Sequence, residues 1–254
     1  SRNKLLEIGG ESQIISQGER NECYIAKVGS PLIQYFGYKT QGVWKSQEEI
    51  DANPHFVDDI PGGLRIVDTD NNSMLDANDR VPLGNPYPDF TWGLTNNLRY
   101  KNFDFSILIQ GVQGITVFNG DVFYTETMRY NKAYTKNRWI SPEHPGDGKT
   151  PYEKSGHNLL LTDYPLQNAS YACLRNLTIG YTMPKDIVKK MHLNDLRFYL
   201  SGNNLLYIWS GDYRGINPES RFTAGPYTNT MIDGYQRGGF PLTSTISVGF
   251  DVNF

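Results

Sequence analysis

The chain closes on a strict two-residue alternation. Ile246, Val248, Phe250, Val252 and Phe254 are apolar, and Ser247, Gly249, Asp251 and Asn253 between them are small or polar. A period of two is the mark of a β-strand with unlike faces. The pattern recurs in Phe90, Trp92, Leu94, Leu98 and Tyr100, broken once at Asn96, and after Lys101-Asn102 in Phe103, Phe105, Ile107 and Ile109. Two such runs around two residues predict a hairpin. Leu177, Ile179, Tyr181 and Met183 form a further run, as do Leu196, Phe198 and Leu200. Strands are therefore expected at about 90–100, 103–113, 171–182, 196–206 and 244–254, with Ser1 to Ile8 as the tail of a sixth. Helical periodicity is confined to Lys185–Met191, after Pro184.

A strand with one apolar face fits either a soluble sandwich, apolar side inward, or a membrane barrel, apolar side to lipid. The spacing between strands separates the two. Lys101-Asn102 and the dozen or so residues after Pro184 are short connections, whereas 9–89, 114–169 and 208–243 are long. Every second connection is short. Soluble domains rarely carry loops beyond ~15 residues without structure of their own, while outer-membrane barrels pair short periplasmic turns with long outer loops. The expected class is all-β: five to six C-terminal antiparallel strands of a large transmembrane barrel, with 9–89 as a long extracellular loop and 90–254 as the last five strands. Single-chain barrels start at about 8 strands, and an open sheet in lipid leaves edges unpaired, so the chain reads as part of a larger barrel.

Composition narrows the field. The longest unbroken apolar run is Leu205 to Trp209, far short of the ~20 residues of a spanning helix. A net charge of -3 without a basic block gives no reason to expect nucleic acid. Cys23 and Cys173 stand alone and read as free thiols. Ser1-Arg2-Asn3-Lys4 opens no signal peptide, so the chain is expected to be either cytosolic or an interior or C-terminal piece.

The sharpest chemical motif runs from Asp68 to Asp79. Asp68, Asp70, Asn72, the Met74 carbonyl, Asp76 and Asp79 stand at positions 1, 3, 5, 7, 9 and 12 of a calcium-loop spacing. Hard oxygen donors at alternating positions can wrap one structural Ca²⁺. Two departures stand out: Ser73 where the turn favours glycine, and Asp79 in place of a bidentate glutamate. A polar turn without an ion is the plainer alternative. Other chemistry is weakly supported. Gly146 to Thr150 lacks the first glycine of a phosphate loop, at Glu143; His55, His144, His157 and His192 have no partner at zinc spacing; no Gly-x-Ser-x-Gly elbow occurs. No enzyme is expected. The aromatic residues of the outer loops, Phe123, Tyr124, Trp209, Tyr213 and Phe222, are candidates for contact with a ligand or a lid protein, since sugar rings stack on such faces; loop packing is the alternative.

The segments Asn85-Pro86-Tyr87-Pro88-Asp89-Phe90-Thr91-Trp92-Gly93, Gln110-Gly111-Val112-Gln113-Gly114, Leu174 to Tyr181 followed by Pro184, and Leu196 to Leu206 resemble the SusC-like TonB-dependent transporters of Bacteroidetes. So does the closing stretch from Gly239 to Phe254. The blocks stand in the family's order, and the resemblance covers nearly all of the chain from Gly29 onward. It implies an outer-membrane importer of oligosaccharides or peptides, a 22-stranded barrel with an N-terminal plug. The implied partners are a SusD-like surface lipoprotein as lid, outer-membrane lipid, and the TonB complex engaged through the N-terminal part, which has no counterpart here. It also implies a similar acidic segment at 68–79 and a terminal aromatic, Phe254, read by the barrel-assembly machinery. The rival reading is a secreted, calcium-braced β-domain that binds carbohydrate.

Overall fold

The computed structural model describes residues 3–19, 21–122, 136–152 and 161–254. In chain order they form β1 (Gln13–Gln17), β2 (Cys23–Lys27), β3 (Gln34–Tyr38), β4 (Thr40–Val43), helix α1 (Gln47–Asp51), β5 (Leu64–Ile66) and β6 (Arg80–Gly84). Then come β7 (Phe90–Tyr100), β8 (Phe103–Gln113), β9 (Thr116–Asn119), β10 (Leu166–Asn168), β11 (Tyr171–Thr182) and helix α2 (Lys185–Lys190). The last strands are β12 (Asp195–Trp209), β13 (Tyr235–Gln236) and β14 (Thr245–Asn253). Two compact units result. One comprises Ser1–Tyr87, Thr116–Gln167 and Glu219–Gly239; the other comprises Pro88–Ile115, Asn168–Pro218 and Phe240–Phe254.

The second unit is a five-stranded antiparallel sheet in the order β14-β12-β11-β8-β7. Its strands lie within a few residues of the periodicity reading. Residues 3–8 add no sixth strand: the Leu5 backbone pairs instead with the 29–30 turn, donating to Ser30 O and accepting from Gly29 N. Lys101 takes a left-handed φ of 53° in the two-residue β7–β8 turn, and Asn102 ties that turn to the end of β11 through Thr182.

The registers sort the side chains into two faces. Leu94 sits opposite Ile109, Ile109 opposite Leu174, Leu174 opposite Leu206; Phe105 opposite Ile179, Ile179 opposite Leu200, Leu200 opposite Val248. This apolar face is not a core. Val248 is 82% exposed, Ile246 71% and Leu98 59%. Each such side chain left in water forgoes ~1.5–3 kcal/mol of burial, and soluble proteins rarely show an apolar patch this continuous. A hydrocarbon environment resolves the mismatch.

The opposite face is polar and carries an ion cluster across four strands. Arg197 on β12 grips Asp104 on β8 with two hydrogen bonds, Nε to Oδ1 at 3.0 Å and Nη2 to Oδ2 at 2.7 Å. Its Nη1 donates to Asp251 on β14 at 3.0 Å. The fork reaches across β11 only because Gly180 stands between. A Cβ there would lie 2.3 Å from Asp104 Oδ1 and 2.5 Å from Arg197 Nη2.

The first unit is built from the stretches that read as long loops. They hold a sheet of order β1-β2-β3-β6, a second of order β10-β9-β13 and the pair β4-β5. These strands span two to five residues, too short to print a period on the sequence. Ser46 caps α1 by accepting from Glu49 N. The principal core is aromatic: Tyr24, Tyr35, Phe118, Tyr227 and Tyr235 with Ile33 and Ile232. Tyr227 and Tyr235 stack at 4.2 Å. A second cluster joins Val43, Leu64 and Trp139.

Gly180→Val in the full-length protein is expected to displace Arg197 or Asp104 and destabilise the barrel by roughly 1–3 kcal/mol. Gly93→Ala, whose nearest neighbour would be Ile109 O at 3.9 Å, is expected to stay within about 0.5 kcal/mol of wild type. Urea midpoints in detergent test the pair; equal midpoints for both would deny the clasp its role.

Candidate functional site

Two places concentrate chemistry: the polar face of the five-stranded sheet and the acidic loop before β6.

On the sheet, Arg99, Asp104, Gln110, Asn176, Arg197 and Asp251 share the polar face. Between Leu174 and Asn176 the register shifts on both sides of β11. Arg175 is the extra residue against β8, and β12 supplies an extra residue beside Asn204, which has a left-handed φ of 53°. Bulges re-aim side chains, and this one sets Arg175 into a polar cluster. Its Nε donates to Gln110 Oε1 at 2.9 Å, and its Nη1 to Asn204 Oδ1 at 2.8 Å and Tyr207 OH at 2.7 Å. The guanidinium also lies 5.7 Å from the Tyr207 ring centre, and Tyr207 packs against Tyr171. Further along β12, exposed Trp209 meets buried Tyr213 edge-on at 6.2 Å. This face presents aromatic planes, amides and fixed cations together, the donor set that orients polar ligands.

In the acidic loop, the carboxylate oxygens of Asp68, Asp70 and Asp79 fall within 4.8 Å of one another. Backbone amides shape the loop around them. Ser73 N donates to Asp68 Oδ2 at 2.8 Å and Asn72 N to Asp70 Oδ1 at 3.1 Å. Buried Asp79 takes Thr69 N at 2.7 Å and Asp76 N at 2.9 Å. Asn72 Oδ1 accepts from Met74 N, and Asp76 turns to cap the short 3₁₀ turn Ala77–Asp79 through Asn78 N. Asp76 thus stands outside the carboxylate triad. Ser73 has a φ of 65°, the left-handed geometry the spacing demands at that position. Asp68 Oδ1 is enclosed and has no hydrogen-bond partner among the described residues. Partial desolvation together with the charges of Asp79 and Asp68 holds the Asp70 carboxyl above its ordinary range. For Asp68, desolvation is outweighed by the amides of Ser73, Asn71 and Asn72, which hold it below.

The other sequence candidates are dispersed. Phe222 packs edge-on against Tyr227 and Tyr235, with the Arg237 guanidinium over its ring, so its ring belongs to the rim of the aromatic core. Phe254 follows β14 and is 85% exposed. Phe123 and Tyr124 lie outside the described residues. Cys23 and Cys173 are free and buried. Sequence reasoning missed Arg175 and Asn204, although Arg175-Asn176 and Asn203-Asn204 each break the alternation with two adjacent polar residues.

No family model matches the chain. It is 32% identical to TonB-dependent receptor P26 of Formosa agariphila, over its whole length and 26% of that protein. It is 28% identical to TonB-dependent receptor P3 of the same organism, with the same coverage. With TonB-dependent receptor SusC of Bacteroides thetaiotaomicron it shares 27% identity over 85% of this chain and 20% of that one. Among solved structures, the RagAB peptide transporter matches all of the chain, and 26% of its own, at a TM-score of 0.73 and 18% identity. The chain spans about a quarter of the length of the curated relatives it matches. The proteins it matches are receptors and transporters rather than enzymes.

Arg175→Lys is expected to fail as a replacement, because a point ammonium cannot reach Gln110 and Asn204 together. Like Arg175→Ala, it should loosen the bulge by about 1–3 kcal/mol and raise deuterium uptake in peptides covering β11 and β12. Wild-type exchange in Arg175→Lys would show that the fork is dispensable.

Proposed function

We propose that this chain, the C-terminal barrel segment of a SusC-like TonB-dependent receptor of the outer membrane, forms part of the wall of a nutrient importer. One observation carries the reading: a five-stranded sheet whose apolar face is exposed at Leu94, Leu98, Ile179, Leu200, Ile246 and Val248, and whose opposite face is lined with ion pairs, amides and aromatic rings. Such a sheet separates lipid from an aqueous conduit. The polar wall suits an oligosaccharide or a peptide, and a SusD-like lipoprotein is the partner that the likeness to SusC supports. A secreted, soluble β-domain does not fit, because it would leave the apolar face in water.

The test uses the full-length protein in its own cells. Uptake of a labelled oligosaccharide and peptide panel should fall in a deletion strain, and should fall equally when the proton-motive force is collapsed. A tagged full-length protein should co-purify with a surface lipoprotein. Uptake that persists without the proton-motive force would sink TonB-driven import. Phe254→Ala is expected to lower outer-membrane yield several-fold in a membrane-fraction blot; an unchanged yield would remove the assembly role of the terminal aromatic.

The acidic loop is read as a structural calcium site. Asp68, Asp70 and Asp79 would hold the ion, with Asn72 and the Met74 carbonyl completing an oxygen shell. The enclosed Asp68 Oδ1, without a hydrogen-bond partner among the described residues, and the raised Asp70 carboxyl both suit a bound cation. Calorimetry on the full-length protein should detect one Ca²⁺ that Asp68→Asn and Asp79→Asn abolish. Because protons compete for the Asp70 carboxylate, affinity should decline as the solution is acidified through the carboxylate range. Ser73→Gly, by relieving the left-handed φ, should stabilise the loop by up to ~1 kcal/mol. Heat release unchanged in Asp68→Asn would refute the site.

A further inference from the structure

At the end marked by the β7–β8 turn, the apolar face of the sheet finishes in one aromatic rung. Tyr100 sits opposite Phe103, Phe103 opposite Tyr181, Tyr181 opposite Phe198, and Phe198 opposite Phe250. Every strand of the sheet contributes one ring, although aromatic residues are only 13% of the chain. The Phe103 and Tyr181 rings lie 4.8 Å apart, and Tyr100, Phe103, Phe198 and Phe250 are exposed. Aromatic side chains collect in this way where hydrocarbon gives way to headgroups. Lys101, in the turn itself, holds its Nζ 5.4 Å from the Tyr100 ring centre, on the apolar side. Helix α2 packs on β12 at the same end of the sheet. Val188 of the helix is buried, and so is Leu196, which shares the apolar face of β12 with exposed Phe198 and Leu200. The helix therefore covers the apolar end of β12. It leaves Ile187, Met191, Lys189 and Lys190 exposed, and apolar residues beside lysines suit a segment resting in a bilayer interface.

The charges on the two faces differ at this end. On the polar face they cancel: Arg99 stands opposite Asp104, and Arg197 bridges Asp104 and Asp251. Beyond the rung they do not. Lys185 donates to Asn194 O at 2.9 Å and stands 3.9 Å from Asp195, so this pair is balanced. Lys101, Lys189 and Lys190 then remain against one carboxylate, Asp186, and among the described residues none of these three lysines makes an ion pair. A free main-chain carboxylate after Phe254 would still leave the balance positive. A cavity of about 320 Å³ joins the β7–β8 turn to the start of α2, with Lys101 and Lys185 in its lining. The surplus cations therefore form one rim, directly past the aromatic rung.

We propose that this rim is a docking surface for anionic phospholipid headgroups, with Lys101, Lys189 and Lys190 on the lipid phosphates and the aromatic rung at the depth where the acyl chains begin. The proposal rests on the reading of the sheet as a barrel wall. It adds a selectivity for headgroup charge at one end of that wall, which an apolar face alone does not supply. Complementary charge is the reason for choosing an anionic leaflet over a zwitterionic one.

The test is native mass spectrometry on the full-length protein, released from detergent micelles that carry equal amounts of phosphatidylglycerol and phosphatidylcholine. Wild type is expected to retain roughly 5-fold more phosphatidylglycerol than phosphatidylcholine, a comparison that needs no variant. Lys101→Gln/Lys189→Gln/Lys190→Gln should lose most of that preference, and the matching triple arginine variant should keep it. Lys45→Gln/Lys149→Gln, which removes positive charge from the first unit, should behave as wild type. Mobility on unheated gels reports that each variant is folded. Inorganic phosphate in excess should leave the lipid in place; displacement would overturn the lipid assignment in favour of a free-anion site. Equal retention of the two lipids, or a glutamine triple variant with the wild-type preference, would overturn the proposal and leave the barrel-wall reading standing. Retention of neither lipid would overturn both.

Discussion

In hydrocarbon, no water is present to take a stray N–H or C=O, and each unsatisfied group costs several kcal/mol. The five-stranded sheet is organised by that constraint. β8, β11 and β12 are paired along both sides, and their lengths of 11 to 15 residues cover the ~9–11 that a tilted strand needs to span the bilayer. Among the described residues, β7 and β14 are paired on one side only. Their outer edges require strands beyond those of this chain, which agrees with relatives about four times its length. Closure governs the connections too. Short turns suffice at one end of the strands, and the chain is free to elaborate at the other.

The second constraint is parity. With a side-chain period of two, a slip of one residue exchanges the faces of a whole strand. On β11, Ala172 and Leu174 share the apolar face with Leu177 and Ile179, although 174 and 177 differ by an odd number. The extra residue Arg175 absorbs that difference. Without it, either Leu174 or Leu177 would turn to the polar side. The insertion frees a guanidinium at the point where the strand is locally irregular, and Gln110, Asn204 and Tyr207 collect it. One bulge therefore sets the strand faces and also furnishes the polar wall with its most elaborate cluster.

This explains what the sequence discloses. Ile246 to Phe254 and Phe90 to Tyr100 announce their strands because one side of each faces a uniform solvent, lipid, which tolerates no exception but Asn96. The Arg175-Asn176 and Asn203-Asn204 doublets were legible as breaks, yet a break alone does not reveal which neighbour it opposes. Gly180 is silent in the sequence: its meaning lies in Asp104 and Arg197 on two other strands. The acidic loop was legible from spacing, because its donors are local; the capping role of Asp76 was not, since it depends on where the 3₁₀ turn begins. The strands of the first unit escaped because two to five residues are too few to establish a period, and because β4, β6 and β13 find their partners far off along the chain.

That first unit also shows how long connections can be specified with few aliphatic residues. Its core leans on tyrosine, and a buried hydroxyl usually finds a partner, though the Tyr24 hydroxyl has none among the described residues. Tyr35 OH donates to Thr116 O at 3.0 Å, 81 residues away. Tyr227 OH donates to buried Glu22 and accepts from Glu19 N at 3.3 Å, more than 200 residues away. Burial pushes the Tyr24 and Tyr35 phenols well above their ordinary value, and burial together with the Glu22 contact does the same for Tyr227. All three therefore remain neutral across physiological pH. An aliphatic core would accept many arrangements of the same segments. Hydroxyls that each need one acceptor at one distance accept few, so a core of tyrosines trades some burial for a defined choice of which loops meet.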